Sequence, residues 1–251
     1  MEPQTLIIIA GAVAAGFVQG LSGFGFGLVA MSFWAWTIDP RLAAAMAVFG
    51  ALTGQIIAAV TVRRGFDLKV LAPFVIGGLL GLPLGLLLLP RIDVLVFKAF
   101  LGALLAFWCP AMLFSSRLPR ITRGGRLADA LIGAGGGVMG GLGGFTGVLP
   151  TLWCTLRGMD KDAQRAIVQN FNLSLLLVTF ASYVATGIIS RATLPYLAIV
   201  APAILLPSLL GARLYIGISE ATFRKVVLSL LTGTGIALLA SSVPGLLQRF
   251  A

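Results

Sequence analysis

Between Gly11 and Gly27 the chain reads GAVAAGFVQGLSGFGFG, six glycines in seventeen residues inside an apolar run of membrane length. A second such stretch, GAGGGVMGGLGGFTG, runs from Gly133 to Gly147. Glycine costs about 1 kcal/mol against alanine in a helix interior, so this density predicts bent, unwound or closely approached backbone. A bilayer sharpens the constraint, because lipid satisfies no free N–H or C=O group. Non-helical backbone at that depth must be buried in protein or line a cavity. The two stretches are the expected walls of a substrate site.

That a bilayer is the solvent follows from composition. Of 251 residues, 59% are hydrophobic and 10% charged, with mean hydropathy +1.04; soluble domains run to about 45–50% apolar and 25% charged. The expected product is a multi-pass protein of the cytoplasmic (inner) membrane. A net charge of +10 would suggest nucleic acid in a soluble protein. Here the basic residues sit in short gaps between apolar runs, which fits loop-charge bias and lipid headgroups, with no nucleic-acid partner. MEPQT carries no Lys or Arg before the first apolar run, so no cleaved secretory signal is expected. Cys109 and Cys154 lie in apolar runs without metal-ligand spacing and read as packed thiols.

Spanning helices are expected at Pro40–Val62, Val70–Leu89 and Val94–Phe114, and again at Ala163–Ile189, Leu194–Ile216 and Thr222–Val243. Before each set of three stands a longer glycine-broken run, Leu6–Thr37 and Leu127–Leu156. As straight helix the first would reach about 48 Å, against a hydrocarbon core of about 30 Å. A single straight crossing is therefore not expected. Sliding the halves by 121 pairs Gly20, Leu21, Gly23, Phe24, Leu28, Asp39, Ala45 and Leu52 with Gly141, Leu142, Gly144, Phe145, Leu149, Asp160, Ala166 and Leu173. At a shift of 126, Gly85, Phe97 and Lys98 meet Gly211, Phe223 and Arg224. The chain reads as a duplication: residues 1–114 a first membrane repeat, 115–126 a basic cytoplasmic linker, 127–251 a second repeat.

Charge distinguishes how the halves lie. If each broken run crosses, the repeats are parallel and the 18 Lys and Arg divide evenly. If each run dips in and returns, the repeats are inverted. Then Arg63, Arg64, Lys69, Arg117, Arg120, Arg123, Arg126, Arg157, Lys161, Arg165, Arg213, Arg224 and Lys225 share one face, leaving Arg41, Arg91, Lys98, Arg191 and Arg249 on the other. The positive-inside bias favours the inverted arrangement, with the richer face cytoplasmic and both termini outside. The expected fold is all-α and polytopic, each half a glycine-broken hairpin or broken helix followed by three transmembrane helices.

The inventory argues against catalysis. There is no histidine, and the eight acids, Glu2, Asp39, Asp67, Asp93, Asp129, Asp160, Asp162 and Glu220, stand at a terminus or near the end of a run. No carboxylate pair, metal cluster or nucleophile–base set assembles at depth, so neither enzyme nor cofactor is expected. Proton coupling would have to use interfacial acids such as Asp39 and Asp160, or a protonatable substrate. What remains at depth is neutral: Gln19 and Ser22 at the first glycine loop, Thr146 at the second, Thr53 and Gln55 at comparable depth. Arg165, Gln169 and Asn172 follow i, i+4, i+7 spacing on one helix face, and Asn170 with Ser174 makes a second pair. A loop leading into a half-helix offers free N–H groups and the positive end of a dipole, which attract an anion. The expected substrate-binding set is Gln19, Ser22, Gly23, Gly25, Gly143, Gly144, Thr146, Arg165, Gln169, Asn170 and Asn172. The competing reading is packing alone: interhelical hydrogen bonds for the polar groups, and close helix contact for Gly16/Gly20, Gly23/Gly27, Gly136/Gly140 and Gly140/Gly144.

With GFVQGLSGFGFG at Gly16–Gly27 and GGGVMGGLGGFTGVLP at Gly135–Pro150, the chain resembles the sulfite exporter TauE/SafE family, also grouped with 4-toluenesulfonate uptake permeases. The second stretch is close to the family pattern of glycines followed by a small residue and Pro, and the first departs from that pattern, with Phe24 and Phe26 between glycines and Val29 where the second half has Pro150. The resemblance covers almost the whole chain and implies transport of sulfite, sulfonates or related organic anions. It leaves substrate, direction, coupling ion and a homodimer open. No GxxxxGK[ST] loop is present, so energy must come from gradients or from a partner. The alternative function is a non-transporting subunit or scaffold whose glycines serve packing.

Overall fold

A computed structural model describes residues 2–250 except 24, 62–64, 66, 116–118, 123 and 215–219. Phe24, Arg63, Arg64, Arg117, Arg123 and the expected span ends Val62 and Ile216 lie outside the described residues. The helices are α1 (Pro3–Ser22), α2 (Phe26–Trp34), α3 (Pro40–Thr61), α4 (Leu68–Leu88, ending in a 3-10 turn), α5 (Val94–Leu113), α6 (Gly125–Gly143), α7 (Val148–Leu156), α8 (Lys161–Ala185), α9 (Leu194–Leu214) and α10 (Glu220–Phe250). Among the described residues, α1, α3, α4, α5, α8, α9 and α10 are long and apolar enough to cross a membrane. Helix starts are set by carboxylates: Asp39, Asp67, Asp93 and Asp160 each accept from backbone N–H groups of the first turn. Such caps are worth about 1 kcal/mol each. This explains why the acids flank the apolar runs.

Each glycine-broken run is a long helix, a tight turn and a nine-residue helix. Helices α3 and α8 begin 121 positions apart, at Pro40 and Lys161, and α4 and α9 begin 126 apart, at Leu68 and Leu194. These are the two shifts that align the halves in sequence.

Packing fixes the directions. Gly16 faces Ile204 and Gly20 faces Ser208, so α1 and α9 run parallel. Gly77, Gly81 and Gly85 face Ala130, Ala134 and Val138, so α4 and α6 run parallel. Leu95 meets Gly245 and Ala106 meets Gly235, which makes α5 and α10 antiparallel. The contacts obey the repeat: Gly16 against Ile204 is matched by Gly137 against Gly78, and Gly20 against Gly211 by Gly141 against Gly85. The first helix of each half thus packs on the fourth helix of the other. With antiparallel α5 and α10, the halves are related as inverted repeats. Helix α1 begins and α10 ends on one face, here the terminal face, and α5 ends and α6 begins on the opposite, linker face. Lys69, Arg120, Arg126, Arg157, Arg165 and Lys225 fall towards the linker face, as do positions 161, 213 and 224 by their place along α8, α9 and α10, and Arg41, Arg91, Lys98, Arg191 and Arg249 fall towards the terminal face.

Many glycines are there for contact. At Gly77, Gly81, Gly133 and Gly137 an added Cβ would collide with a backbone carbonyl of the facing helix. Helices this close gain dispersion and weak C–H···O contacts over their full length, which offsets the propensity penalty. The packing reading therefore holds for these glycines and for Gly16/Gly20. The glycines of the two turns do something else.

Candidate functional site

In the first hairpin α1 ends at Gly23, whose φ of 76° is left-handed, and Gly25 at 94° starts α2. In the second, Gly144 at 74° closes α6 and its N–H reaches the Gly140 carbonyl at 2.8 Å. Side chains other than glycine rarely adopt this backbone, so the turns require it. The short limbs fold back on the long ones. Trp34 Nε1 donates to the Ile8 carbonyl at 3.3 Å, while Gly11 leaves room for the indole. Trp153 Nε1 donates to Asp129 at 2.8 Å, and Arg157 pairs with the same carboxylate at 3.1 Å. Ile8 and Asp129 are 121 positions apart. One position thus fastens both hairpins, and it accounts for the buried Asp129.

The tips meet inside the bundle. A Cβ on Gly27 would lie 3.3 Å from both the Gly143 carbonyl and the Phe145 ring. Gln55 of α3 donates to the Gly23 carbonyl at 2.9 Å. It lies six residues before Thr61, about 9 Å along the axis from the end of α3. The first turn is therefore well below the linker face, and the second sits at the inverted position.

Between the tips is a crevice walled by Gly25–Leu28 and Gly144–Val148, with Gln19, Gln55, Ala51, Asn172 and Leu176 around it. Side chains occupy the carbonyl ends of the long limbs: Gln55 takes Gly23 and the Tyr183 hydroxyl takes Gly141 at 2.8 Å. Gln19 donates to Ala51 O at 3.0 Å and accepts from Phe26 N at 3.2 Å. Thr146 Oγ1 donates to Asn172 Oδ1 at 2.8 Å, so the Asn172 amide nitrogen is presented beside Gly147. First-turn N–H groups of any helix lack an intrahelical partner. The starts of α2 and α7 line the crevice with the positive ends of their dipoles, the first N–H of each being taken, Phe26 N by Gln19 and Val148 N by the Phe145 carbonyl. Its walls offer donors and partial positive charge without a buried ion. The volume is about 20 Å³, room for a water and too little for an anion of four heavy atoms.

The profile described as sulfite exporter TauE/SafE matches residues 7–238. The chain belongs to the sulfite exporter TauE/SafE family. Searches of curated proteins and of solved structures return no match. As a member of a transporter family, with seven helices able to span among the described residues, it is a multi-pass membrane protein.

In this family member the expected set divides into three groups. Gln19, Gly25, Gly144, Thr146 and Asn172 line the crevice, with Gly143 at its edge. Gly23, Arg165 and Gln169 gather on the linker-face side of the first turn: a Cβ at Gly23 would run into the Gln169 amide and lie 3.7 Å from Arg165 Nε. Gln169 is 2% exposed and neither of its amide atoms has a hydrogen-bond partner. Each unsatisfied buried group of this kind costs about 1–3 kcal/mol. Ser22 and Asn170 fall elsewhere. Ser22 bonds Val18 O of its own helix, and Asn170 donates to Gly65 O at 3.3 Å across from the site. Thr53 likewise bonds its own helix at Phe49 O. The crevice also takes in Gln55 and Gly147. Gln55 was visible as an amide at depth, but only the turn's carbonyl assigns it a role.

Proposed function

We propose that the protein is a secondary transporter that moves a small oxyanion, sulfite or a related sulfonate or carboxylate, across the cytoplasmic membrane, with the linker face inside. One observation carries this reading. The N-termini of two half-helices, on opposite-facing hairpins, converge in one crevice whose carbonyl ends are already occupied by Gln55 and Tyr183. Such a place favours negative charge yet keeps no fixed cation, so it binds an anion and releases it. The inverted repeats supply alternating access: exchanging the conformations of the two halves opens the crevice to the other face. Asp39 and Asp160 are engaged as helix caps, which leaves the protonation of the substrate itself as the simplest link to a proton gradient.

Uptake of radiolabelled sulfite into liposomes containing the purified protein, under an imposed pH or anion gradient, tests the reading. Uptake should saturate and be competed by sulfonates. If no gradient drives sulfite, sulfonates or carboxylates, the protein is no transporter of this class, and the scaffold alternative is favoured.

A further inference from the structure

We propose that Gln169 and Arg165 form a second oxyanion subsite, on the linker-face side of the Gly23 turn and outside the crevice between the tips. The proposal rests on the transport reading and adds a place where the anion binds before it enters the crevice.

Three observations converge. Gln169 is buried with both amide atoms unpartnered, and it faces Gly23. Arg165, one helical turn away, brings its guanidinium to the same turn while remaining exposed on the other side. A neutral amide donor beside one open cation suits a small oxyanion, which takes the amide N–H and a guanidinium N–H together. The Gln169 carbonyl then turns towards Arg165. Among the described residues no ion pair competes: Asp162, three residues earlier and exposed, makes no salt bridge to Arg165.

The repeat shows what packing alone requires here. Gly144, the counterpart of Gly23, packs on Val48, with contacts of 3.2–3.4 Å to an added Cβ. Val48 is the counterpart of Gln169 at the shift of 121, and the counterpart of Arg165 is the fully buried Ala44. An apolar pair therefore supports the turn. The amide and guanidinium are additions on one side of the pseudo-two-fold axis, the side that opens to the basic face.

Equilibrium binding of radiolabelled sulfite to the purified full chain, under nitrogen and at low salt, tests this. Wild type should bind two equivalents. Gln169→Val, which copies the apolar mate, should bind one and melt no lower than wild type. Arg165→Ala, at an exposed position, should weaken one equivalent about tenfold. A stoichiometry and affinity unchanged in both variants overturns the subsite while leaving the crevice intact. Absence of binding by wild type overturns the subsite and the transport reading together.

Discussion

Thr146 Oγ1 donates to Asn172 Oδ1 at 2.8 Å, with both side chains almost fully buried. Because the hydroxyl claims the amide oxygen, the nitrogen is left to the crevice. Asn172→Asp keeps the size and puts a carboxylate oxygen where an N–H stood. Sulfite uptake should fall by about 100-fold, the loss of a charge-assisted hydrogen bond of roughly 1.5–3 kcal/mol plus repulsion. Thr146→Val removes only the anchor and should cost about tenfold. Initial uptake rates in liposomes, with melting temperatures alongside, check the pair. Equal and small losses would mean that Asn172 serves packing alone.

The turn glycines and the packing glycines should separate by mutation. Gly23→Val and Gly144→Val force a branched side chain into left-handed backbone, at about 1–2 kcal/mol, and into Gln169 or Val48. Transport should fall to background while protein still reaches the membrane. Gly78 reads in the sequence as an ordinary helix glycine and so as a neutral comparison. It is not one, because its Cβ would lie 2.9 Å from Phe171 and its carbonyl fills the place of a Cβ on Gly137. Gly233 has nothing within 4 Å of an added Cβ and is the proper control. Gly233→Val should transport as wild type, and Gly78→Val should accumulate poorly.

Much of this architecture was legible because glycine density, apolar length and charge asymmetry act through the backbone and the bilayer. The two shifts of 121 and 126 recur as helix starts, and the hairpin turns fall where the glycines crowd. Side-chain direction was less legible. Asn170 and Asn172 are two residues apart on α8, so they point to different helix neighbours, one to Gly65 and one to Thr146. Gln55 could not be assigned from spacing, since its partner is a carbonyl 32 positions away. Asp129 looked like a run-end acid because Trp153 and Arg157, its partners, come from the returning limb.

The face that carries both termini has a pH-sensitive tie. Asp93 accepts from Val96 N and Leu95 N at the start of α5 and pairs with Arg249 at the end of α10. The Val96 N–H and then the Arg249 side chain hold its carboxyl below the ordinary range. A depressed carboxylate contributes stability above its unfolded pKa and loses it as pH falls through the folded one. Asp93→Asn should therefore melt below wild type at neutral pH, with the gap closing only under acid more extreme than the ordinary carboxylate range. A gap that persists unchanged in acid below the ordinary carboxylate range would show the effect to be steric.

The charge of the two faces predicts the orientation, with the linker face in the cytoplasm. In a Cys109→Ala, Cys154→Ala background, cysteine at Glu2 should react with an impermeant reagent on intact cells, and cysteine at Pro119 should not. Both positions are exposed. Reaction at 119 from outside would reverse the assignment of the linker face to the cytoplasm.

Arg165 should act on the substrate through its charge before contact. It is exposed at the linker-face end of α8 and makes no ion pair with Asp162. A free cation at the mouth of a path raises the local anion concentration, an effect screened over about 8 Å at physiological salt. In inside-out vesicles, Arg165→Gln should raise the half-saturating sulfite concentration about tenfold at low salt, with the difference shrinking as salt rises. In right-side-out vesicles it should change little, because the crevice is then reached from the terminal face. Asp162→Asn should leave both orientations unchanged, since Arg165 does not depend on it. Were Arg165 instead a structural partner of Asp162, the two variants would lose thermal stability together and half-saturation would stay put at every salt concentration.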